Sequence, residues 1–165
     1  MCDVLSSKNG GSDMGVVISL SEIVEAIETQ SNDGEAYLDP DTGEIVLVTE
    51  DDRRFVEEGR ADDELLEWQR ETMPRIREAL TRDRFLILPD RFEVHEWAIM
   101  ERFSQEQNQQ AQVTLSGAIH GPGAFRRFRS AVERLGLLDA WYLYREEAIN
   151  QIARDWLEEH KLAYK

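Results

Sequence analysis

The chain contains one cysteine, Cys2, so it cannot form an internal disulfide bond. A chain without disulfides suits a reducing compartment, and we expect a cytoplasmic location. Long apolar runs are also absent, because the longest, such as Phe85–Leu88, are far shorter than the roughly 20 residues of a transmembrane helix. The N-terminus lacks the apolar core of a signal peptide. The sequence therefore predicts a soluble protein that makes no membrane contact.

Sequence motifs that hold cofactors are missing as well. No glycine-rich phosphate loop or dinucleotide-binding fingerprint occurs. His95 and the glutamate after it resemble the start of a zinc helix, but Ile99 stands where the second histidine is required. We therefore predict no cofactor, no metal and no catalytic residue. Enzymatic activity is left open, with a non-catalytic role favoured.

A calcium loop is suggested by Asp39, Asp41 and Glu50, which have the spacing of the first, third and twelfth ligands of such a loop. The glycine falls one position early and the fifth ligand is missing. The valines that follow continue a strand pattern instead. The segment is therefore predicted to be a β-hairpin.

Basic residues are scarce in the first part of the chain. Residues 1–64 contain eighteen acidic and four basic side chains, which accounts for −14 of the net charge of −15. This balance disfavours direct binding of nucleic acid and suits a basic protein partner. The charged residues predicted to form an interaction surface are Asp51, Asp52, Glu57, Glu58, Arg126 and Arg127.

The length of 165 residues suits one domain with a sizeable core. We expect a disordered tail at residues 1–15 and a single α+β domain at residues 16–165, with an acidic N-terminal half. The native start is left open between Met1 and Met14. The oligomeric state is not predicted.

Apolar periodicity predicts a small antiparallel sheet packed with five or six helices. The expected strands are a hairpin, 36–38 and 45–48, and a third strand at 84–88. The segment Glu50–Glu64 is expected to be a solvated loop. The expected helices are 20–30, a helix from Asp62 kinked at Pro74, 93–103, 110–119, one within 123–136 and a long last helix capped by Asp139.

Two aromatic residues are assigned to buried faces by this periodicity. Trp68 falls on the apolar face of the helix from Asp62, and Phe125 falls on the stripe of Phe128 and Val132.

Two charged residues occupy positions where their helices favour apolar groups. Glu96 lies on the stripe of Ile99, and Arg145 lies between Trp141 and later apolar positions. Burying either charge alone is costly, so the pattern favours a mutual ion pair that fixes how two helices dock. The alternative is a pocket in which Arg145 binds an anion and Trp97 and Trp141 form the walls.

Five blocks between Tyr37 and Leu157 resemble the uncharacterised bacterial protein family UPF0158. They are YLDPDTGEIV, ELLEWQRE, LPDRFEVHEW, GAFRRFRSAVERLG and WYLYREEAINQIARDWL. The resemblance implies a small bacterial domain without an assigned activity, so it supplies no catalytic residue.

We therefore interpret the chain as an interaction or regulatory protein whose acidic N-terminal half binds a basic partner. The first alternative is a small-anion-binding protein or enzyme with a pocket around Arg145 and Glu96. The second is a nucleic-acid mimic, since clustered carboxylates can imitate phosphates.

Overall fold

The computed structural model describes residues 15–90 and 94–165. Seven α-helices and a three-stranded antiparallel sheet lie within these residues, which confirms the α+β class. The predicted disordered tail at 1–15 lies outside the described residues except for Gly15. The predicted helix start at Glu93 lies outside them too.

The N-terminal part of the described chain contains both strands and helices, whereas the C-terminal part is helical. The strands are β1 (Gly34–Leu38), β2 (Ile45–Thr49) and β3 (Leu86–Ile87). The helices are α1 (Leu20–Thr29), α2 (Glu50–Glu57), α3 (Glu67–Thr81), α4 (Glu96–Gln105), α5 (Gln109–Ala118), α6 (Ala124–Arg134) and α7 (Leu138–Glu159). A short 3-10 turn, Asp62–Glu64, precedes α3.

The sheet has the order β2-β1-β3, with both pairings antiparallel. The predicted hairpin is confirmed, with Gly34 opposite Thr49 and Leu38 opposite Ile45. Gly43 closes the turn at a φ of 78°, a left-handed conformation that glycine adopts without steric cost. The third strand is shorter than predicted.

The two faces of the sheet bury different sets of side chains, because successive strand residues point to opposite faces. Ala36 and Leu38 join the larger core, which contains residues of α1 and α4–α7. Tyr37, Val46 and Val48 face the opposite way and pack in a smaller core with residues of α2 and α3. The sheet therefore joins a helical body to a two-helix layer.

The prediction of a solvated loop at Glu50–Glu64 is wrong, because α2 occupies Glu50–Glu57. Thr49 and Asp52 form a capping box that satisfies the first amides of this helix. Three acidic residues in the first turn complement the helix dipole. Phe55 is its one buried residue. A helix with a single apolar anchor leaves almost no periodic signal, which explains the error.

The predicted burial of Trp68 and Phe125 is also wrong, since both side chains are exposed. Each lies in the first turn of its helix, ahead of the segment that packs on the core. Periodicity identifies a face of a helix, whereas burial requires a neighbouring element to cover that face.

The other helix predictions differ in detail. Pro74 lies inside the single helix α3, as predicted. Asp139 is in the first turn of α7, and Leu137 occupies the N-cap position. The termini of the described chain meet, because Ile18 and Tyr164 form a parallel bridge. None of the helices in the described parts of the chain combines the length and apolar character that crossing a membrane requires.

Candidate functional site

The two inward-facing charges predicted from the sequence are in direct contact. Arg145 of α7 donates from Nε to Glu96 Oε1 of α4 at 2.9 Å, and its Nη2 donates to the same oxygen. A second carboxylate, which the sequence pattern did not indicate, completes the cluster: Arg145 Nη1 donates to Glu28 Oε1 of α1 at 2.8 Å. The guanidinium therefore joins three helices.

This cluster is poorly suited to an anionic ligand. Burial lowers the pKa of Arg145, but the hydrogen bonds to Glu96 and Glu28 outweigh it and leave that pKa above its usual value. Every guanidinium nitrogen already donates to a carboxylate. Two carboxylates around one cation leave a net negative charge, which repels anions.

The two tryptophans of the alternative pocket lie in different surroundings. Trp141 is buried in the larger core, where its ring makes edge contacts with Phe103 and Phe128 at centroid distances of 5.3 and 4.8 Å. Trp97 is exposed, and its Nε1 donates to the carbonyl of Ile119 at 2.9 Å. The structure thus brings Glu96 and Arg145 together, whereas Trp141 serves the core.

A second arginine–carboxylate cluster surrounds Asp39, which is 0% exposed at the end of β1. Arg84 donates to its two carboxylate oxygens at 3.2 and 2.9 Å, and Arg75 donates to Oδ2 at 3.1 Å. The amide of Asp41 donates to Oδ1 at 3.1 Å. The charge of Asp39 is therefore balanced by two arginines.

Sequence reasoning missed this cluster. The arginines that bind Asp39 are 36 and 45 residues away along the chain. Nothing in the sequence distinguishes this one buried acid among thirty-four acidic residues. The only local signal was the turn chemistry of an aspartate before Pro40. Across residues 15–90 and 94–165, no set of three or more histidine, cysteine, aspartate or glutamate side chains is placed to hold a metal ion.

The hydrogen bonds from Arg84 lower the pKa of Asp39 to about 2, and the Arg75 and Asp41 bonds act in the same direction. Burial opposes them. The charged carboxylate is therefore the form that the fold stabilises.

The Asp39 cluster makes a pH prediction. Because the folded pKa is lower than the unfolded one, the stabilisation is complete above about pH 5 and is lost as the pH falls toward 2. The shift corresponds to about 2 kcal/mol. We expect the difference in unfolding free energy between the wild type and Asp39→Asn to be largest at neutral pH and to shrink by about this amount near pH 2. Urea melts at several pH values measure it, and a pH-independent difference would contradict the assignment.

A third polar cluster attaches α2 to the sheet. Arg53 donates to Tyr37 Oη at 2.9 Å and to Glu35. Burial raises the pKa of Tyr37, so its hydroxyl stays protonated. This cluster borders a cavity of about 600 Å³ whose other walls include Asp33 and Glu50.

The predicted interaction surface has two separate parts. On α2 and the turn after it, Asp51, Glu57 and Glu58 are exposed, and the Asp51 side chain is 94% exposed. Asp52 differs, because its carboxylate is occupied in the helix cap.

On α6, Arg126 is exposed, while Arg127 donates to the carbonyls of His120 and Pro122 and braces that turn. Within the described residues no ion pair joins either arginine to the acidic half.

Near the acidic end of α2 lies an open groove between β2 and α3, which we call the Trp68 groove. It has a volume of about 630 Å³. Trp68 and Leu47 line it and are 64% and 56% exposed. Its other lining residues include four acids and one arginine: Glu44, Asp51, Asp52, Glu71 and Arg75. Arg75 is held by the carboxylates of Asp39, Glu44 and Glu78. The groove thus combines exposed apolar side chains with a negative rim.

These features define a small α+β protein with partly buried arginine–carboxylate clusters and exposed acids on the surface of its N-terminal half. A family model described as an uncharacterised protein family, UPF0158, matches residues 14–165, so the chain belongs to that family. A UPF0158 protein of Pseudomonas aeruginosa is 26% identical over 149 residues, which cover 89% of this chain and 85% of that protein. No solved structure matches the chain.

Proposed function

We propose that this protein is a non-catalytic interaction protein whose acidic N-terminal half binds a basic partner protein. The observation that carries this proposal is the exposure of acidic side chains beside exposed apolar ones at the Trp68 groove. Charged groups of one sign steer association with an oppositely charged partner, and exposed aromatic side chains supply contact area.

The arginines of the same half cancel only part of this charge. Arg54 and Arg60 lie 3.8 and 3.9 Å from Asp51 and Glu58, and these ion pairs are weak because their side chains are exposed. Arg53, Arg75 and Arg84 are bound to Glu35, Glu44 and Asp39 in the clusters described above. These three arginines bind carboxylates of the sheet and its turn, so the acids of α2 remain in excess over the basic side chains beside them. This division supports a surface that attracts cations.

The alternative of an anion pocket or enzyme site at Arg145 finds less support. Its cation is already bound by two carboxylates, and Trp141 lies in the core. The geometry suits a contact that docks three helices.

The proposal predicts a steep salt dependence of binding. Proteins that co-purify from the native host at about 50 mM salt should be released at about 300 mM, because screening weakens attraction between exposed charges.

With the basic protein identified by mass spectrometry and then purified, we expect the triple variant Asp51→Lys, Glu57→Lys, Glu58→Lys to slow association by about tenfold. Stopped-flow or surface-plasmon measurements give the rate.

A matched control changes the net charge equally at another place. Glu133, Glu146 and Glu159 are exposed, make no ion pair with another described residue and lie on α6 and α7. Their replacement by lysine should alter association by less than about threefold. An equal effect of both triple variants, or an affinity that is flat with salt, would show that the acids only solubilise the protein.

A further inference from the structure

Within residues 15–90 and 94–165, one edge of the strand β2 has no partner strand. This strand is the outer strand of the sheet, and β1 occupies its inner side. Main-chain hydrogen bonds join Asp39 to Glu44 at 2.9 Å and Glu50 to Asp33 at 2.8 Å. Along an antiparallel strand, residues whose amide and carbonyl point to the partner strand alternate with residues whose amide and carbonyl point away from it. The β2 residues between Glu44 and Glu50 follow this alternation.

This alternation directs the main chain of Ile45, Leu47 and Thr49 away from β1. The amide of Thr49 donates to Asp52 at 2.9 Å, so it is satisfied by the cap of α2. No other element of the described chain donates to or accepts from the main chain of Ile45 or Leu47. Two residues with free donors and acceptors therefore face the open edge.

Open space lies on both faces of this edge. The Trp68 groove occupies the side toward α3. A second groove of about 420 Å³ lies on the side toward α1 and is lined by Glu22, Glu25 and Thr29. Both grooves are bordered by Ile45 and Leu47. A strand added at this edge would place alternate side chains in the two grooves.

The charges of these grooves select the occupant. The carboxylates among their described lining residues are Glu22, Glu25, Glu44, Asp51, Asp52 and Glu71. Arg75, the arginine in that described set, is already bound by carboxylates. A second copy of this chain carries the same acids and a net charge of −15, so pairing of two β2 edges is repelled. A basic segment is attracted.

We propose that the free edge of β2 accepts an extended basic segment of a partner protein as a fourth strand. Its main chain pairs with Ile45 and Leu47, an apolar side chain contacts Trp68, and lysine or arginine side chains reach Glu22 and Glu25. Such strand addition takes its affinity from main-chain hydrogen bonds and its specificity from alternate side chains. The inference rests on the proposed function and assigns it a place and a mode of binding.

The test uses a synthetic peptide of about eight residues that alternates lysine and valine, and the same peptide with glutamate for lysine. We expect the lysine peptide to bind and the glutamate peptide not to bind. Amide hydrogen exchange of the full chain, measured by NMR, should slow at Ile45 and Leu47 when the lysine peptide is bound. Attraction to surface charge alone would leave these two amides unprotected.

Two variants with matched controls test the free edge of β2 and the contact with Trp68. Leu47→Pro removes an outward amide without removing a hydrogen bond to β1. It should therefore weaken binding of the lysine peptide about tenfold more than Leu47→Ala does. Trp68→Ala should weaken it about tenfold, whereas Phe125→Ala, at an exposed aromatic residue of α6, should have no effect. Circular dichroism and thermal melts establish that each variant is folded.

The outcomes separate this inference from the proposed function. Salt-dependent capture of a basic partner, with unchanged exchange at Ile45 and Leu47, overturns the strand-addition mode and keeps the proposed function. No binding of the lysine peptide at low salt also overturns the inference. A dimer in analytical ultracentrifugation that Leu47→Pro abolishes overturns it as well, since the occupant would then be a second copy.

Discussion

Replacing Asp39 with asparagine is expected to lower the free energy of unfolding by about 2–4 kcal/mol at neutral pH. Asparagine keeps the shape of the side chain and can still accept a hydrogen bond from the Asp41 amide. It removes the charge that Arg75 and Arg84 share at the end of β1. Both arginines are partly exposed, so water compensates some of the loss and the expected value lies below that of a fully enclosed pair.

Urea denaturation followed by tryptophan fluorescence measures this change. The control is Asp41→Asn on the same turn, whose side chain is exposed and lies 3.4 Å from Arg84. It should change stability by less than about 0.5 kcal/mol. A loss below about 1 kcal/mol for Asp39→Asn would show that the arginines find equivalent partners among the nearby glutamates.

The second large effect is expected at Arg145, where alanine should lower the free energy of unfolding by about 1–2 kcal/mol. The variant leaves Glu28 and Glu96 without their shared cation and removes a partly buried alkyl stem. The Arg145 side chain is 29% exposed, and both carboxylates also reach solvent. Water therefore weakens the penalty relative to a sealed ion pair.

The same denaturation experiment with Arg126→Ala serves as the control, because Arg126 is exposed and forms no ion pair with another described residue. This variant should leave the free energy of unfolding almost unchanged. A double variant, Glu28→Gln with Glu96→Gln, should restore part of the stability lost in Arg145→Ala, because the repulsion between the carboxylates is then gone. No restoration would indicate that Arg145 acts through packing alone.

The clusters and the acidic surface both reflect which carboxylates the arginines bind. Arginines at the sheet and at α7 bind the carboxylates that folding brings inward, as at Asp39 and Glu96. The acids of α2 and of the Trp68 groove outnumber the arginines beside them. Arg54 and Arg60 lie 3.8 and 3.9 Å from Asp51 and Glu58, and Arg75 binds Glu44. An excess of acidic side chains therefore lies beside the exposed Leu47 and Trp68.

Local patterns in the sequence were sufficient for much of the fold. The hairpin followed from two β-prone runs around a turn with proline and glycine, and Gly43 has the positive φ that this turn requires. The amphipathic helices followed from repeats of apolar residues near 3.6 positions. The inward phase of Glu96 and Arg145 was visible in the same way, because a charge on an apolar stripe is conspicuous.

The sequence by itself determined the α+β class, most element positions and the acidic character of residues 1–64, since these depend on neighbours along the chain or on composition. Only the tertiary structure decided the rest. It placed Glu28 with Arg145, buried Asp39 between Arg75 and Arg84, and left Trp68 exposed beside the free edge of β2. These outcomes depend on contacts between residues far apart in sequence, and periodicity carries no information on which element covers a given face.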